Sequence, residues 1–151
     1  MTGSLPFVPG ATGQRAMVSK GRPHRRVLVD GFEVLIGRGA RENDALTFGV
    51  AAPGDTWLHV GGGTPGSHVV IRNPERVPIP KAVLERAASH AAWYSKARNA
   101  ASVEVHYCLV SDVRKMRGAP AGQVQLRRHQ RVRIRPMAPE GSPAEDESTD
   151  D

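Results

Sequence analysis

One stretch of the sequence, residues 80–97, carries the apolar spacing of a long amphipathic helix. Its apolar residues recur every three or four positions, and Pro80 suits the first turn of a helix. The other apolar runs are short enough to be strands. Strands outnumber helices and there is one main helix, which makes α+β the natural fold class. We therefore expect an α+β domain with a mixed, mostly antiparallel sheet.

Short apolar runs bounded by turn residues predict the strands. Asp30 and Gly31 separate two such runs and are a strong signal for a β-hairpin. The strands are expected at residues 27–29, 32–36, 56–60, 68–72, 103–110, 123–126 and 131–135. In the last strand apolar residues alternate with arginines, which predicts one apolar face and one arginine face.

Composition divides the chain into three regions. Residues 1–26 are rich in Gly, Pro and Ser, show no periodicity, and are expected to form a disordered basic arm. Residues 27–136 are expected to form the folded domain, with a short second helix near 43–50 for which Asn43 and Asp44 offer a cap. Residues 137–151 are expected to form a disordered acidic tail.

Charge is distributed unevenly along the 151 residues. The formal net charge is +6, yet residues 140–151 hold six acids and no base. The rest of the chain carries all 21 Lys and Arg residues, and 17 of these are Arg. Arginine suits phosphate because its planar guanidinium donates in pairs. This basic body favours a polyanion, most often nucleic acid, as the partner; a plain solvated basic surface is the alternative.

Several classes of protein are disfavoured. No apolar run approaches the ~20 residues of a membrane span, and the first residues lack a signal peptide, so we expect a cytoplasmic protein. A single cysteine, Cys108, excludes an intramolecular disulfide, and the histidine spacings do not match a metal site. Gly61, Gly63 and Gly66 match a dinucleotide-binding motif by letter, but a strand rather than a helix follows them. We therefore predict neither a metal nor a cofactor.

Polar and aromatic residues concentrate around the glycine-rich loop. Asp55, His59, Ser67 and His68 contain the residue types of a hydrolytic site, although no nucleophile-elbow motif is present and nothing in the spacing brings the four together. Trp57 lies between Asp55 and His59 and is the candidate for an exposed or ligand-facing ring. An enzyme remains the alternative, and catalysis is the less favoured interpretation.

Five short segments occur in one order over about a hundred residues. They are Gly37-Arg38 with Asn43-Asp44-x-Leu46-Thr47, Asp55-x-Trp57-x-His59, Pro65-Gly66-Ser67-His68-Val69-Val70-Ile71, Tyr94-Ser95-Lys96-Ala97-Arg98, and Val113-Arg114-Lys115-x-x-Gly118. Together they resemble the NFACT-R domain, the RNA-binding domain of the NFACT (fibronectin-binding protein A-like, Rqc2-type) translation factors. Each segment alone is weak evidence, and their joint order carries the resemblance.

The resemblance implies a cytoplasmic RNA-binding module, with tRNA or the RNA of the large ribosomal subunit as partner. It links the chain to ribosome-associated quality control or to tRNA metabolism, and we expect a standalone version of the domain. The alternatives are an enzyme that processes RNA or hydrolyses a tRNA ester, and a module that docks on the ribosome through protein contacts. The RNA-binding residues carried over are Arg38, Asn43, Asp44, Asp55, Trp57, His59, Ser67, His68, Lys96, Arg98, Arg114 and Lys115.

Overall fold

The computed structural model describes residues 24–139. Their elements are β1 (His24–Val29), β2 (Phe32–Gly37), α1 (Ala40–Ala45) continued by a π-helical turn (Leu46–Val50), β3 (Thr56–Val60), β4 (Val69–Ile71), α2 (Lys81–Trp93), β5 (Val103–Leu109), a 3-10 turn (Val110–Asp112), β6 (Val113–Arg114), β7 (Gln125–Leu126) and β8 (Gln130–Ile134). Most of the predicted basic arm and acidic tail lies outside the described residues.

Six strands form one sheet in the order β1-β2-β4-β3-β5-β8, and β6 and β7 form a separate two-stranded sheet. Every pairing in both sheets is antiparallel. With one main helix against this sheet, the predicted α+β class is confirmed. Within residues 24–139 there is no helix with the length and hydrophobicity needed to span a bilayer.

The β1–β2 hairpin forms where the sequence predicts it. Asp30 and Gly31 have φ values of 49° and 86°, the left-handed pair of a tight hairpin turn. The first strand begins at His24, however, so Arg25 and Arg26 belong to the sheet and not to the arm. Two adjacent arginines do not indicate a strand in the sequence. An edge strand such as β1 nevertheless tolerates basic side chains that a central strand would exclude.

Helix α2 begins after Pro80, as predicted, and ends at Trp93 rather than at residue 97. Its buried face carries Val83 and a row of alanines, whose small side chains let the helix lie close to the sheet. The early end has a tertiary cause. The Tyr94 carbonyl accepts from the Ser67 N–H at 3.0 Å, so the chain after the helix pairs with a loop instead of continuing the turn.

Both faces of the sheet are covered. One face packs on α2, and its core includes Val34, Ile36, Leu58, Val69, Ile71, Val83, Ala87, Ala91 and Val105. The opposite face packs under the π-helical turn and the β6–β7 sheet, and its core contains Leu35, Leu46, Trp57, Val70, Cys108, Val110 and Val113. Because this second cover reaches only part of the face, the remainder stays open toward β5 and β8.

The short second helix starts earlier than the sequence predicts. Gly39 occupies the N-cap position of α1, and Asn43 lies inside the helix as a buried residue. The prediction that Asn43 or Asp44 caps this helix is therefore wrong. An asparagine within a helix can instead turn its amide toward backbone groups elsewhere in the fold, and Asn43 does so.

Candidate nucleic-acid interface

A cleft of about 930 Å³ opens where the end of β2, the β3–β4 loop, the end of α2 and the loop before β7 meet. These four parts of the chain are far apart in sequence. Eight of the twelve predicted RNA-binding residues line the cleft: Arg38, Asn43, Trp57, His59, Ser67, His68, Lys96 and Arg98. The structure therefore brings most of the predicted set to one place.

The charged side chains that line the cleft all have one sign. Arg25, Arg38, Lys96 and Arg98 contribute to its walls, and among the described residues no aspartate or glutamate does. Four cations around a concavity without a carboxylate create a positive potential inside it. Such a potential favours an anionic ligand over a neutral or cationic one.

Two of these cations are held by aromatic rings. The guanidinium carbon of Arg98 lies 4.4 Å from the centre of the Trp93 ring, and that of Arg25 lies 4.5 Å from the centre of the Tyr94 ring. Stacking on a ring face restricts a guanidinium while leaving its N–H groups free to donate at the edge. The arginines are thus oriented before any ligand arrives.

Asn43 fixes the loop that forms the floor of the cleft. Its Nδ2 donates to the Gly66 carbonyl at 3.2 Å, and its Oδ1 accepts from the His68 N–H at 3.1 Å. Gly37 lies directly beside it, since a Cβ at that position would sit 2.0 Å from Asn43 Oδ1. The amide is too close for any side chain at residue 37, which explains the glycine that opens the first family-like segment.

His68 is neutral and its ring is fixed. Nε2 lies 3.2 Å from the Gly122 carbonyl, which only accepts, so Nε2 carries the hydrogen. Nδ1 then accepts from the Thr47 hydroxyl at 2.9 Å. Burial, followed by the nearby His59, lowers the pKa of His68 to about 4. The imidazole therefore supplies structure and hydrogen bonds at neutral pH, and no charge.

Three of the rings that line the cleft form a cluster. Trp57 stacks on His59 with ring centres 5.9 Å apart, and His68 meets both rings edge-on at 5.0 and 5.3 Å. Trp57 is only 2% exposed, so its ring is not an exposed one, although the residue is among those that line the cleft. The residue alternates onto the covered face of β3, where the second core buries it. Of the two histidines, His59 is the more open, and burial lowers its pKa.

Asp55 is predicted as an RNA-binding residue, but the structure buries it completely. Its carboxylate accepts from the N–H groups of Asn73 at 2.7 Å and Ala52 at 2.9 Å, and forms an ion pair with Arg72 at 2.7 Å. Asp55 therefore joins the start of β3 to the end of β4. It lies about 13 Å along the strand from His59. Since both His68 nitrogens are also occupied, no chain of acid, base and nucleophile forms here.

Asp44 and Lys115 form an internal brace outside the cleft lining. The Lys115 ammonium lies 2.9 Å from the Asp44 carboxylate and also donates to the carbonyls of Pro120 and Gln123. Asp44 in turn accepts from the Gly122 N–H at 3.1 Å. This brace holds the loop whose residues 120–124 form one wall of the cleft. The three ammonium hydrogens of Lys115 are all used within the chain.

Arg114 and Ser67 occupy different positions with respect to the cleft. Arg114 is exposed on β6 and is not among the residues that line the cleft. Ser67 lines the cleft, and its N–H donates to the Tyr94 carbonyl. Beside it, Gly66 forms a β-bridge with Ser95, and a Cβ on this glycine would come within 2.8 Å of the Ser95 Cβ. The β3–β4 loop and the end of α2 are therefore in direct backbone contact.

The sequence does not identify several contributors to the cleft. Composition places Arg25 in the arm, and no pattern links Trp93 to Arg98. Thr47 belongs to one of the family-like segments, which is the signal in the sequence for its contact with His68. Gly122 lies in a loop without a recognisable pattern. Only the fold brings its carbonyl to a ring 54 positions away in the sequence.

The fold and the basic cleft together define a nucleic-acid-binding α+β domain. A protein-family profile described as "NFACT protein RNA binding domain" matches residues 23–128. The chain belongs to this family, which confirms the resemblance.

Similar proteins extend the comparison. The chain is 40% identical over 124 residues to the Rqc2 homolog RqcH of Bacillus subtilis (strain 168), covering 79% of this chain and 21% of that protein. It is 34% identical over 116 residues to the Rqc2 homolog RqcH of Streptococcus suis (strain 05ZYH33), covering 76% and 20%. The chain thus spans about a fifth of the length of these curated relatives.

A solved structure shares the fold. The C-terminal part of the fibronectin/fibrinogen-binding protein from Streptococcus suis superposes with a TM-score of 0.70 at 35% identity. The similarity covers 77% of this chain and 46% of the solved one.

Proposed function

We propose that this chain is a cytoplasmic RNA-binding module whose cleft holds tRNA or the RNA of the large ribosomal subunit. The observation that carries the proposal is the lining of the cleft, with four cations and no carboxylate among the described residues. Family membership supports RNA as the polyanion. The relatives named as Rqc2 homologs support a place in translation quality control, with tRNA metabolism as the other setting in which such a module would act.

Two kinds of side chain in the cleft would bind the RNA: basic side chains would contact phosphates, and a histidine would contact a base. Lys96, Arg98, Arg38 and Arg25 would contact phosphates, which supplies affinity without sequence preference. His59 would meet an unpaired base by stacking or hydrogen bonding, since it is half-buried whereas His68 is buried. Trp57 would support His59 from behind, and Asn43 with His68 would keep the loop in shape.

Binding across a salt series tests this proposal. Labelled tRNA and duplex DNA of matched charge are titrated with the protein at increasing salt concentrations. We expect tRNA to bind more tightly and the preference to persist at high salt, since a shaped site adds contacts that counterions do not compete for. Equal binding that salt abolishes would contradict a shaped RNA site. Ribosome co-sedimentation that survives nuclease treatment would then favour the protein-docking alternative.

The Lys96→Ala/Arg98→Ala double variant locates the site. Each phosphate contact contributes a slope of about −0.7 to −0.9 to the logarithm of the tRNA binding constant against log salt. Loss of two contacts should therefore reduce the magnitude of that slope by about 1.4 to 1.8. The matched control is Arg76→Ala/Lys81→Ala, which removes two exposed cations that do not line the cleft. Equal losses in both variants would assign binding to general charge.

A further inference from the structure

The open part of the sheet carries a basic surface next to the cleft. On β8, Arg131 and Arg133 are exposed and alternate with Val132 and Ile134, which pack against the helix-side core. The arginine face predicted for the last strand is therefore present. Its position in the sheet then decides which part of the molecule these arginines face.

Strand register places the β8 arginines on the cleft side. His59 on β3 is directly opposite His106 on β5, and His106 is directly opposite Arg131 on β8. Directly opposed residues point to the same face of a sheet, and adjacent strands are about 4.8 Å apart. The three side chains thus form a row of about 10 Å that leads from the cleft to the edge of the sheet.

His106 is the junction of this row. It lines the cleft, and its ring stacks on His129 with centres 4.3 Å apart and planes at 25°. The β3–β4 loop passes directly over it, because a Cβ on Gly61 would lie 2.5 Å from His106 Nε2. His129 is exposed. The ring pair therefore continues from beneath the glycine loop to open solvent.

We infer that a single-stranded segment of RNA leaves the cleft and crosses β5 to β8 on a histidine–arginine strip formed by His106, His129, Arg131 and Arg133. This inference rests on the proposed function and specifies the form of the ligand. A ring that reaches the surface of a sheet, as His129 does, can stack on an unpaired base, whereas the bases of a duplex are already stacked on each other. The two arginines lie where the phosphates of the crossing strand would pass.

Glu104 lies within the strip. A variant of this residue tests the inference because it should strengthen RNA binding, whereas the arginine variants should weaken it. Its Oε2 accepts from His106 Nε2 at 2.8 Å and lies 3.9 Å from Arg131 Nη1. The carboxylate orients the His106 ring and at the same time repels any phosphate nearby. Glu104→Gln keeps an acceptor for His106 and removes the negative charge. If RNA crosses the strip, this variant should bind it more tightly.

Oligouridines of about 4 and about 12 nucleotides lie within the range of site sizes known for single-strand-binding domains and serve as probes. The short probe is expected to occupy the cleft alone, and the long one to extend to β8. Arg131→Ala/Arg133→Ala should weaken the long probe about tenfold or more and reduce its salt slope by about 1.4, with little effect on the short probe. Glu104→Gln should tighten the long probe about two- to fivefold. The control is again Arg76→Ala/Lys81→Ala.

The outcomes separate this inference from the proposed function. If the wild-type protein binds both probes, but the β8 variant loses equal affinity for both or for neither, the strip is not the path. If Glu104→Gln weakens the long probe, the strip is also excluded. A duplex of the same length that is weakened equally by the β8 variant would overturn the single-stranded form of the ligand. Failure of the wild-type protein to bind either probe or tRNA would remove the proposed function itself.

Discussion

At the scale of single residues, the buried polar side chains explain most of the family-like segments. Asn43 and His68 each satisfy backbone groups that a turn leaves unpaired, and Asp55 does the same at the other end of β3. A buried N–H or carbonyl without a partner costs about 1–3 kcal/mol, so such side chains are hard to replace. The family-like segments thus contain residues that build the cleft as well as residues that would contact a ligand.

The lowered pKa of His68 makes stability depend on pH. In the unfolded chain the imidazole takes up a proton near its ordinary pKa of 6.5, while the folded protein resists protonation until about pH 4. Stability from this group is complete above pH 6.5 and is lost as the pH falls toward 4, by about 3 kcal/mol in total.

Urea unfolding of the wild type and of His68→Gln at about pH 7.5 and about pH 4.5 measures this effect. Burial also lowers the pKa of His59 and His90, and both remain in the variant, so the comparison reports on His68 together with its interaction with His59. The free energy of unfolding of the variant should fall less between the two pH values. An equal fall in both proteins would contradict a neutral, buried His68.

At the scale of elements, contact with the β3–β4 loop determines where α2 ends. Pro80 and the apolar spacing predict where the helix begins and that one of its faces is buried, and both predictions are confirmed. Nothing in residues 94–97 terminates a helix by propensity. The bridge between Gly66 and Ser95 ends it, and this bridge also places Lys96 and Arg98 at the cleft.

Gly66→Ala tests this bridge. The added methyl group would lie 2.8 Å from the Ser95 Cβ and 3.2 Å from its Cα, and the backbone cannot move away cheaply. We expect a loss of about 1–3 kcal/mol in the free energy of unfolding, together with weaker tRNA binding. Gly49→Ala is the matched control, since a Cβ there meets nothing within 4 Å. Equal stability of the two variants would show that the bridge is dispensable.

At the scale of the whole molecule, the cleft exists because four distant parts of the chain meet at one end of the sheet. The wall formed by residues 120–124 reaches this place through the brace between Asp44 and Lys115. The sequence assigns both residues to RNA contact. Their internal contacts indicate instead that they position the wall.

Lys115→Met distinguishes the two roles. The variant keeps the length of the side chain but loses the ion pair with Asp44 and the bonds to two loop carbonyls. If Lys115 only positions the wall, tRNA affinity should fall while the salt slope stays unchanged. This pattern contrasts with Lys96→Ala/Arg98→Ala, which should lower both. A slope reduced by about 0.7 to 0.9 would mean that Lys115 contacts a phosphate directly.

Local patterns in the sequence determine the hairpin turn, the positions of most strands, the start of α2 and the arginine face of β8, but not the start of β1 at His24 or strand β6. Each of these features depends on backbone preference or side-chain alternation over a few residues, and the sequence alone is enough to predict it. The tertiary structure alone decides that Trp57 and Asp55 are buried and that Lys115 pairs with Asp44. It also decides that the arginines of β8 lie on the same side of the sheet as the cleft. These outcomes depend on which distant segments pack together, and burial and register arise only from that packing.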